Sequence, residues 1–193
     1  MLKIRLLLLL TVAAIALPIA GCGDSTEPST ADKLAQKAEE EAANRPAPQP
    51  EKPVVATKVE PTAGENDLST KPQIPKSTGS PPKQLVAQDL IVGSGAAAKA
   101  GDQVSVQYVG NTFKDNKEFD TSWKGDKPGK TFDFQLGSGN VIQGWDKGVV
   151  GMKVGGRRKL IIPADQAYGA QGSPPKIGPN QALVFEIDLK KIG

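Results

Sequence analysis

All of this chain's aromatic residues lie in its second half. The nine rings (five Phe, two Trp, two Tyr) occur from Tyr108 onward, while ten of the sixteen prolines fall between Pro28 and Pro82. Rings supply much of the apolar area that a small core buries, and a Pro-rich stretch without them cannot bury enough surface to offset its ordering entropy. One packed domain is therefore expected in the C-terminal half of the 193 residues, with the first eighty or so doing something else.

Residue types exclude several chemistries. There is no histidine, which removes Ser-His-Asp and Cys-His catalysis and every His-ligated metal site. A single cysteine rules out an internal disulfide and a Cys-rich metal site. The net charge of +3 is small and the basic residues are scattered, so no nucleic-acid partner is expected. No metal or cofactor is expected either.

Residues 1–21 read as a signal peptide. Lys3 and Arg5 precede an apolar run from Leu6 to Leu17, shorter than the ~20 residues a membrane-spanning helix needs. Ile19-Ala20-Gly21-Cys22 resembles a bacterial lipobox, which implies cleavage before Cys22, diacylglycerol on its thiol and acylation of the new amino terminus. Two or three acyl chains hold a protein stably to a membrane. The expected location is thus outside the cytoplasm, anchored by lipid at Cys22.

Residues 22–82 are rich in Pro, Ala, Ser, Thr, Lys and Glu and read as a disordered tether ending at Pro82. Ala31 to Asn44 favours helix, and a frayed helical spacer is expected at 31–44. The tether holds the working domain away from lipid; as a Pro-rich segment it could also dock a partner.

The domain is expected over 83–193. Leu85 to Val92 is a mostly apolar run ended by Gly93-Ser94-Gly95. Val104, Val106 and Tyr108 alternate with Ser105 and Gln107, as Phe132, Phe134 and Leu136 do with Asp133 and Gln135. Lys159 to Ile162 is a short strand stopped by Pro163, and Leu183, Phe185, Ile187 and Leu189 alternate with Val184, Glu186, Asp188 and Lys190. One helix is expected around Val141, Trp145 and Val149, spaced to share a face, with Asn140 as cap and Gln143 three residues on as in a capping box. Gly144 leaves room for a backbone or a ligand. The fold class is α+β: an antiparallel sheet of five to six strands wrapped around one short helix, preceded by the tether.

Some features have a plain and a sharper reading. Trp145 is either core or the floor of a pocket. Gly137-Ser138-Gly139 reads as a turn into the helix rather than a phosphate loop, since the other glycines of such loops are missing. Gly155-Gly156-Arg157-Arg158-Lys159 reads as a solvated turn and strand start. Asp120, after Phe119, either caps its own backbone or sets a carboxylate beside a ring.

Six segments occur in an order that carries more. They are Val106-Gln107-Tyr108-Val109-Gly110, Phe119-Asp120-Thr121-Ser122, Phe132-Asp133-Phe134-Gln135-Leu136-Gly137, Val141-Ile142-Gln143-Gly144-Trp145, Ala167-Tyr168-Gly169-Ala170 and Leu183-Val184-Phe185. Together they resemble the FKBP family of peptidyl-prolyl cis-trans isomerases. The resemblance implies rotation about X-Pro bonds, with proline-containing peptides and unfolded exported proteins as partners, macrolides as inhibitors and a monomer as the working form. It assigns catalytic roles to Tyr108, Phe119, Asp120, Tyr168 and Phe185, and substrate binding to Phe132, Val141, Ile142, Trp145 and Ile177. Trp145 would floor a cavity for the proline ring, and the Ile142 N–H and Tyr168 hydroxyl would hold the flanking carbonyls. Trp123-Lys124-Gly125-Asp126 is about two residues longer than the family's segment. Ser173 and Lys176 stand where well-known members carry histidine and isoleucine, which bears on peptide preference and macrolide affinity. The alternatives are a proline-binding or chaperone module without turnover, or a scaffold whose pocket is filled by its own side chains.

Overall fold

A computed structural model describes residues 54, 56–62 and 64–193, which fall in one compact unit. The signal peptide, Cys22, the helix expected at 31–44 and the tether up to residue 53 lie outside the described residues.

Among the described residues nine strands and one α-helix follow in order: β1 (Thr57–Lys58), β2 (Val86–Ile91), β3 (Gln103–Thr112), β4 (Glu118–Thr121), β5 (Trp123–Lys124), β6 (Lys127–Pro128), β7 (Phe132–Gln135), α1 (Gln143–Gly148), β8 (Arg157–Ile162) and β9 (Leu183–Ile192). The main sheet runs β1-β2-β8-β9-β3-β4, and β7 also pairs with β3. The ten-residue β3 has room for both neighbours along one edge: β7 on Gln103 to Val106 and β4 on Val109 to Asn111. Strands β5 and β6 form a separate hairpin in the lengthened segment after Asp120. Every pair is antiparallel except β1 with β2. The sheet is thus mixed and has seven strands, not the five or six antiparallel ones expected. The extra strand, β1, comes from the segment read as tether.

One face of the sheet packs on α1. Val104, Val106, Leu160, Ile162, Leu183, Phe185, Ile187 and Leu189 form a core there with Trp145 and Val149. Gly144 and Gly148 allow the close approach: a Cβ at Gly144 would stand 2.4 Å from Ile162 Cγ2, and one at Gly148 2.7 Å from Leu160 Cδ1. The space beside Gly144 is therefore taken by a strand side chain, not by backbone or a ligand.

The expected cap is replaced by another device. Asn140 does not cap α1, which begins at Gln143 with Ile142 at the cap position and no side-chain cap bond. Asp146 instead reaches back, its two oxygens accepting the Gly137 and Gly139 N–H groups, each at 2.8 Å. Those glycines have positive φ, 77° and 75°, so their amides converge on the carboxylate and make the turn into the helix. At the other end Arg158 donates to the carbonyls of Gly148 and Val150, at 2.8 and 3.0 Å, and so serves the helix C-terminus.

The opposite face is covered by the chain before β2. The tether was expected to end at Pro82, yet described residues from Val54 on pack against the domain. Val59 N–H donates to Asp89 O, Asn116 Nδ2 donates to Ile74 O at 3.1 Å, and Lys71 pairs with Glu118 of β4. Ile74 joins Val109, Phe113, Trp123, Ala182 and Val184 in a second apolar cluster. Because β9 is covered on both sides, Val184, Glu186 and Asp188 are buried like the alternate residues Leu183, Phe185 and Ile187.

Charged groups on that face form cross-strand pairs in register, Arg157 with Asp188 and Lys159 with Glu186. Arg157 holds Asp188 through Nε–Oδ1 at 2.5 Å and Nη2–Oδ2 at 2.8 Å, and donates to the carbonyls of Glu65 and Thr70. Glu65 in turn bonds Lys159. Arg157 is 0% and Arg158 4% exposed, which corrects their reading as a solvated turn. Arg157 is buried because the strap at 59–76 supplies its carbonyl partners and Asp188 its counter-charge.

Candidate functional site

An open cavity of about 400 Å³ lies where β3, β4, β7 and β9 meet the start of α1. It is lined by Tyr108, Phe119, Asp120, Phe132, Asn140, Val141, Ile142, Trp145, Tyr168 and Phe185. Strand alternation explains the wall: Phe185 sits in β9 beside Leu183 and Ile187 on the helix face, and its ring meets Trp145 of the helix.

Trp145 is the centre of the ring arrangement. Its indole meets Tyr108 at 5.2 Å and 81°, Phe185 at 5.2 Å and 85°, and Phe132 at 6.0 Å and 80°. Phe119 meets Phe185 edge-on at 5.5 Å. Edge-to-face contacts of this kind set ring orientation as well as burying area. Trp145 is 4% exposed and belongs to the core, so both readings of it hold: it is core below and floor above. Gly110 makes the ring cluster possible, since a Cβ there would stand 2.6 Å from Phe185 Cε1 and 2.9 Å from Phe119 Cζ.

Polar groups are few and sit at the rim. Asp120 does both things its sequence allowed. Oδ1 accepts the Thr121 N–H at 2.9 Å, and Oδ2 accepts the Tyr108 hydroxyl at 2.7 Å. Burial, then the hydrogen bond to Asp120 and its charge, push the Tyr108 hydroxyl's pKa up. Burial, then Asp120's charge, raise that of Tyr168 too. Both phenols are therefore donors at ordinary pH. Tyr168 is 40% exposed and follows the 3₁₀ turn at Ala164–Gln166. Ile142 stands at the helix start, and its N–H has no acceptor among the described residues. Among the described residues no group of three or more His, Cys, Asp or Glu could hold a metal ion.

Nine of the ten expected site residues line this cavity. Ile177 is not among the lining residues and is buried in the same core cluster as Trp145 and Phe185. Asn140 lines the cavity although the sequence suggested a helix cap; its place next to Val141 and Ile142 was the available signal. Lys176 donates to the Phe119 carbonyl at 2.8 Å and ties the loop after Tyr168 to β4, a link no spacing announces.

The comparisons with known proteins agree with this geometry. A family model described as FKBP-type peptidyl-prolyl cis-trans isomerase matches residues 95–190. The chain is 51% identical over 120 residues to the FK506-binding protein of Streptomyces anulatus, covering 62% of this chain and 94% of that one. The chain belongs to the FKBP-type peptidyl-prolyl cis-trans isomerase family. It is also 49% identical over 119 residues to the probable FK506-binding protein of Corynebacterium glutamicum, covering 96% of that protein. It is 55% identical over 104 residues to the 39 kDa FK506-binding nuclear protein of Drosophila melanogaster, but spans only 28% of that relative's length. The crystal structure of AtFKBP13 matches with a TM-score of 0.52 and 35% identity, over 58% of this chain and 96% of that one. The FKBP-like domain thus occupies the part of the chain that carries the rings.

Proposed function

We propose that this chain catalyses cis-trans isomerisation of X-Pro bonds, with the aromatic cavity over Trp145 as its active site. The observation that carries the reading is the combination of a ring-walled hollow with two unoccupied donors at its mouth. Those donors are the Ile142 N–H and the half-exposed Tyr168 hydroxyl, neither of which has an acceptor among the described residues.

The mechanism follows from the bond that turns. Rotation breaks amide conjugation at a cost of ~20 kcal/mol. No σ bond forms or breaks, so the reaction calls for no nucleophile, metal or cofactor. In the twisted imide the carbonyl is less polar than in the planar one. A dry aromatic seat therefore favours the twisted state over the flat one, which is stronger binding of the transition state than of the substrate. Trp145, Phe132, Phe185, Val141 and Ile142 would seat the proline ring. The Ile142 N–H and Tyr168 hydroxyl would hold the flanking carbonyls while the bond rotates. Asp120, oriented by the Tyr108 hydroxyl, would bias the local field.

The wider setting belongs to the same proposal. Lipid at Cys22 would anchor the chain outside the cytoplasm, where slow X-Pro rotation limits folding of exported proteins. The relatives are named for FK506 binding, and a macrolide would compete with peptide for this cavity. A prolyl-peptide assay of the full chain, with and without rapamycin, tests the catalytic part. Catalysis that Tyr168→Phe weakens and the macrolide blocks is expected, and its absence rejects the reading. Mass spectrometry of the N-terminal peptide tests the anchor: a diacylglyceryl adduct on Cys22 is expected, and a free thiol rejects it.

A further inference from the structure

Beside the aromatic cavity lies a second hollow of about 490 Å³, lined by Lys117, Glu118, Phe119, Asp120, Thr121 and Lys176. It shares Phe119 and Asp120 with the cavity. A polypeptide whose proline occupied the cavity would place a neighbouring residue here. The walls are β4 and the loop after Tyr168, tied together where Lys176 Nζ donates to the Phe119 carbonyl at 2.8 Å.

The two lysines and two carboxylates of this hollow balance in number but differ in how they are engaged. Glu118 is already paired, its Oε2 2.8 Å from Lys71 Nζ of the strap. Both Asp120 oxygens are occupied, by the Tyr108 hydroxyl and the Thr121 N–H. Lys176 is exposed and uses one of its N–H groups on an uncharged carbonyl. Lys117 is exposed and makes no ion pair among the described residues. Glu118 is thus matched by Lys71, while Lys117 and Lys176 have no carboxylate partner among the described residues.

We infer that this hollow is a subsite for an acidic side chain, Asp or Glu, next to the isomerised proline in the substrate chain. The inference rests on the proline-site reading above. An incoming carboxylate finds free N–H groups on Lys176 without displacing the bond to Phe119. Lys117 adds its charge from the opposite rim. Asp120 opposes the gain, and solvent screens all of it, so the preference is modest, about threefold to tenfold at low salt.

The test is a peptide series with one X-Pro bond whose neighbour on either side is Gln, Glu or Lys, assayed on the full chain. At about 20 mM salt the Glu peptide is expected to exceed the Gln peptide in kcat/KM at one of the two positions by that factor, with the Lys peptide below both. The Glu-to-Gln ratio should approach one at about 0.5 M salt, and also in a chain carrying Lys117→Gln with Lys176→Gln. Lys117→Gln alone, at an exposed side chain, should lower it part-way. A ratio of one at both positions in low salt overturns the subsite, as does a ratio that the double substitution leaves unchanged. Isomerisation of none of the peptides, Gln included, sinks the proline-site reading and the subsite with it.

Discussion

Glu186 offers the sharpest test of the strapped face of the sheet. It is fully buried in the middle of β9, and neither of its oxygens accepts a hydrogen bond. Lys159 Nζ lies 3.3 Å away, off the line of such a bond. Burial, then the neighbouring Glu65, push its carboxyl from 4.5 up to about 8, against the pull of Lys159. Glu65 moves the other way. Burial opposes its charge, but the proton held by the neighbouring Glu186 and the bonds donated by Lys159 and Thr62 outweigh that and hold it down to about 2. Between pH 4.5 and about 8 the folded chain thus keeps a proton on Glu186 that the unfolded chain has released, so stability falls as pH rises through that window. Glu65 gives the opposite slope between about pH 2 and 4.5. Asp188, raised by burial in spite of Arg157, adds to the falling slope above pH 3.8. At ~1.36 kcal/mol per pH unit, the gap from 4.5 to about 8 sets a ceiling of ~5 kcal/mol. Yielding of the strap and entry of water reduce it, and ~2 kcal/mol is the expected loss. Glu186→Gln keeps the side chain's shape, removes its charge and gives it a donor for Glu65. Urea unfolding of the full chain at pH 5 and 8.5 should show the natural chain losing ~2 kcal/mol or more and the variant under ~0.5 kcal/mol. A natural chain equally stable at both pH values, or a variant with the same slope, refutes the reasoning.

Other substitutions probe separate parts of the account. Arg157→Met leaves Asp188 buried without a counter-charge and the Glu65 and Thr70 carbonyls without donors; urea unfolding should show a loss of ~3–5 kcal/mol. Gly110→Ala drives a methyl group to within 2.6 Å of the Phe185 ring. The prolyl-peptide assay should then show kcat/KM falling by about tenfold or more, with stability reduced by ~1–3 kcal/mol. Asp146→Ala strips both Gly137 and Gly139 amides of their acceptor; it should cost ~1–2 kcal/mol and speed hydrogen exchange at those two amides.

Strand positions were legible wherever alternation was strong. The runs at Val104, Phe132, Lys159 and Leu183 became β3, β7, β8 and β9 with small shifts of their ends. The cavity was legible because ring-bearing motifs recur in order, whereas Ile177 lies in a loop, where no alternation tells which side chains reach the cavity. The strap was hidden because its composition is that of a tether. It holds through a few contacts to partners far along the chain, such as Glu65 to Lys159 and Lys71 to Glu118. Each half of those pairs reads as an ordinary surface charge on its own. The burial of Arg157 and Arg158 was hidden for the same reason, since a basic run next to two glycines gives no sign of what will cover it.

The central claim, that an aromatic hollow over Trp145 prefers a twisted imide to a planar one, is tested most directly by NMR exchange between the cis and trans forms of an X-Pro peptide. With substoichiometric full-length chain present, exchange should become far faster than the uncatalysed tens to hundreds of seconds. It should return to the uncatalysed rate when Trp145→Ala and Phe185→Ala are combined in a chain that still folds. Exchange that the natural chain leaves unaccelerated, or that the folded double variant still accelerates in full, contradicts the account.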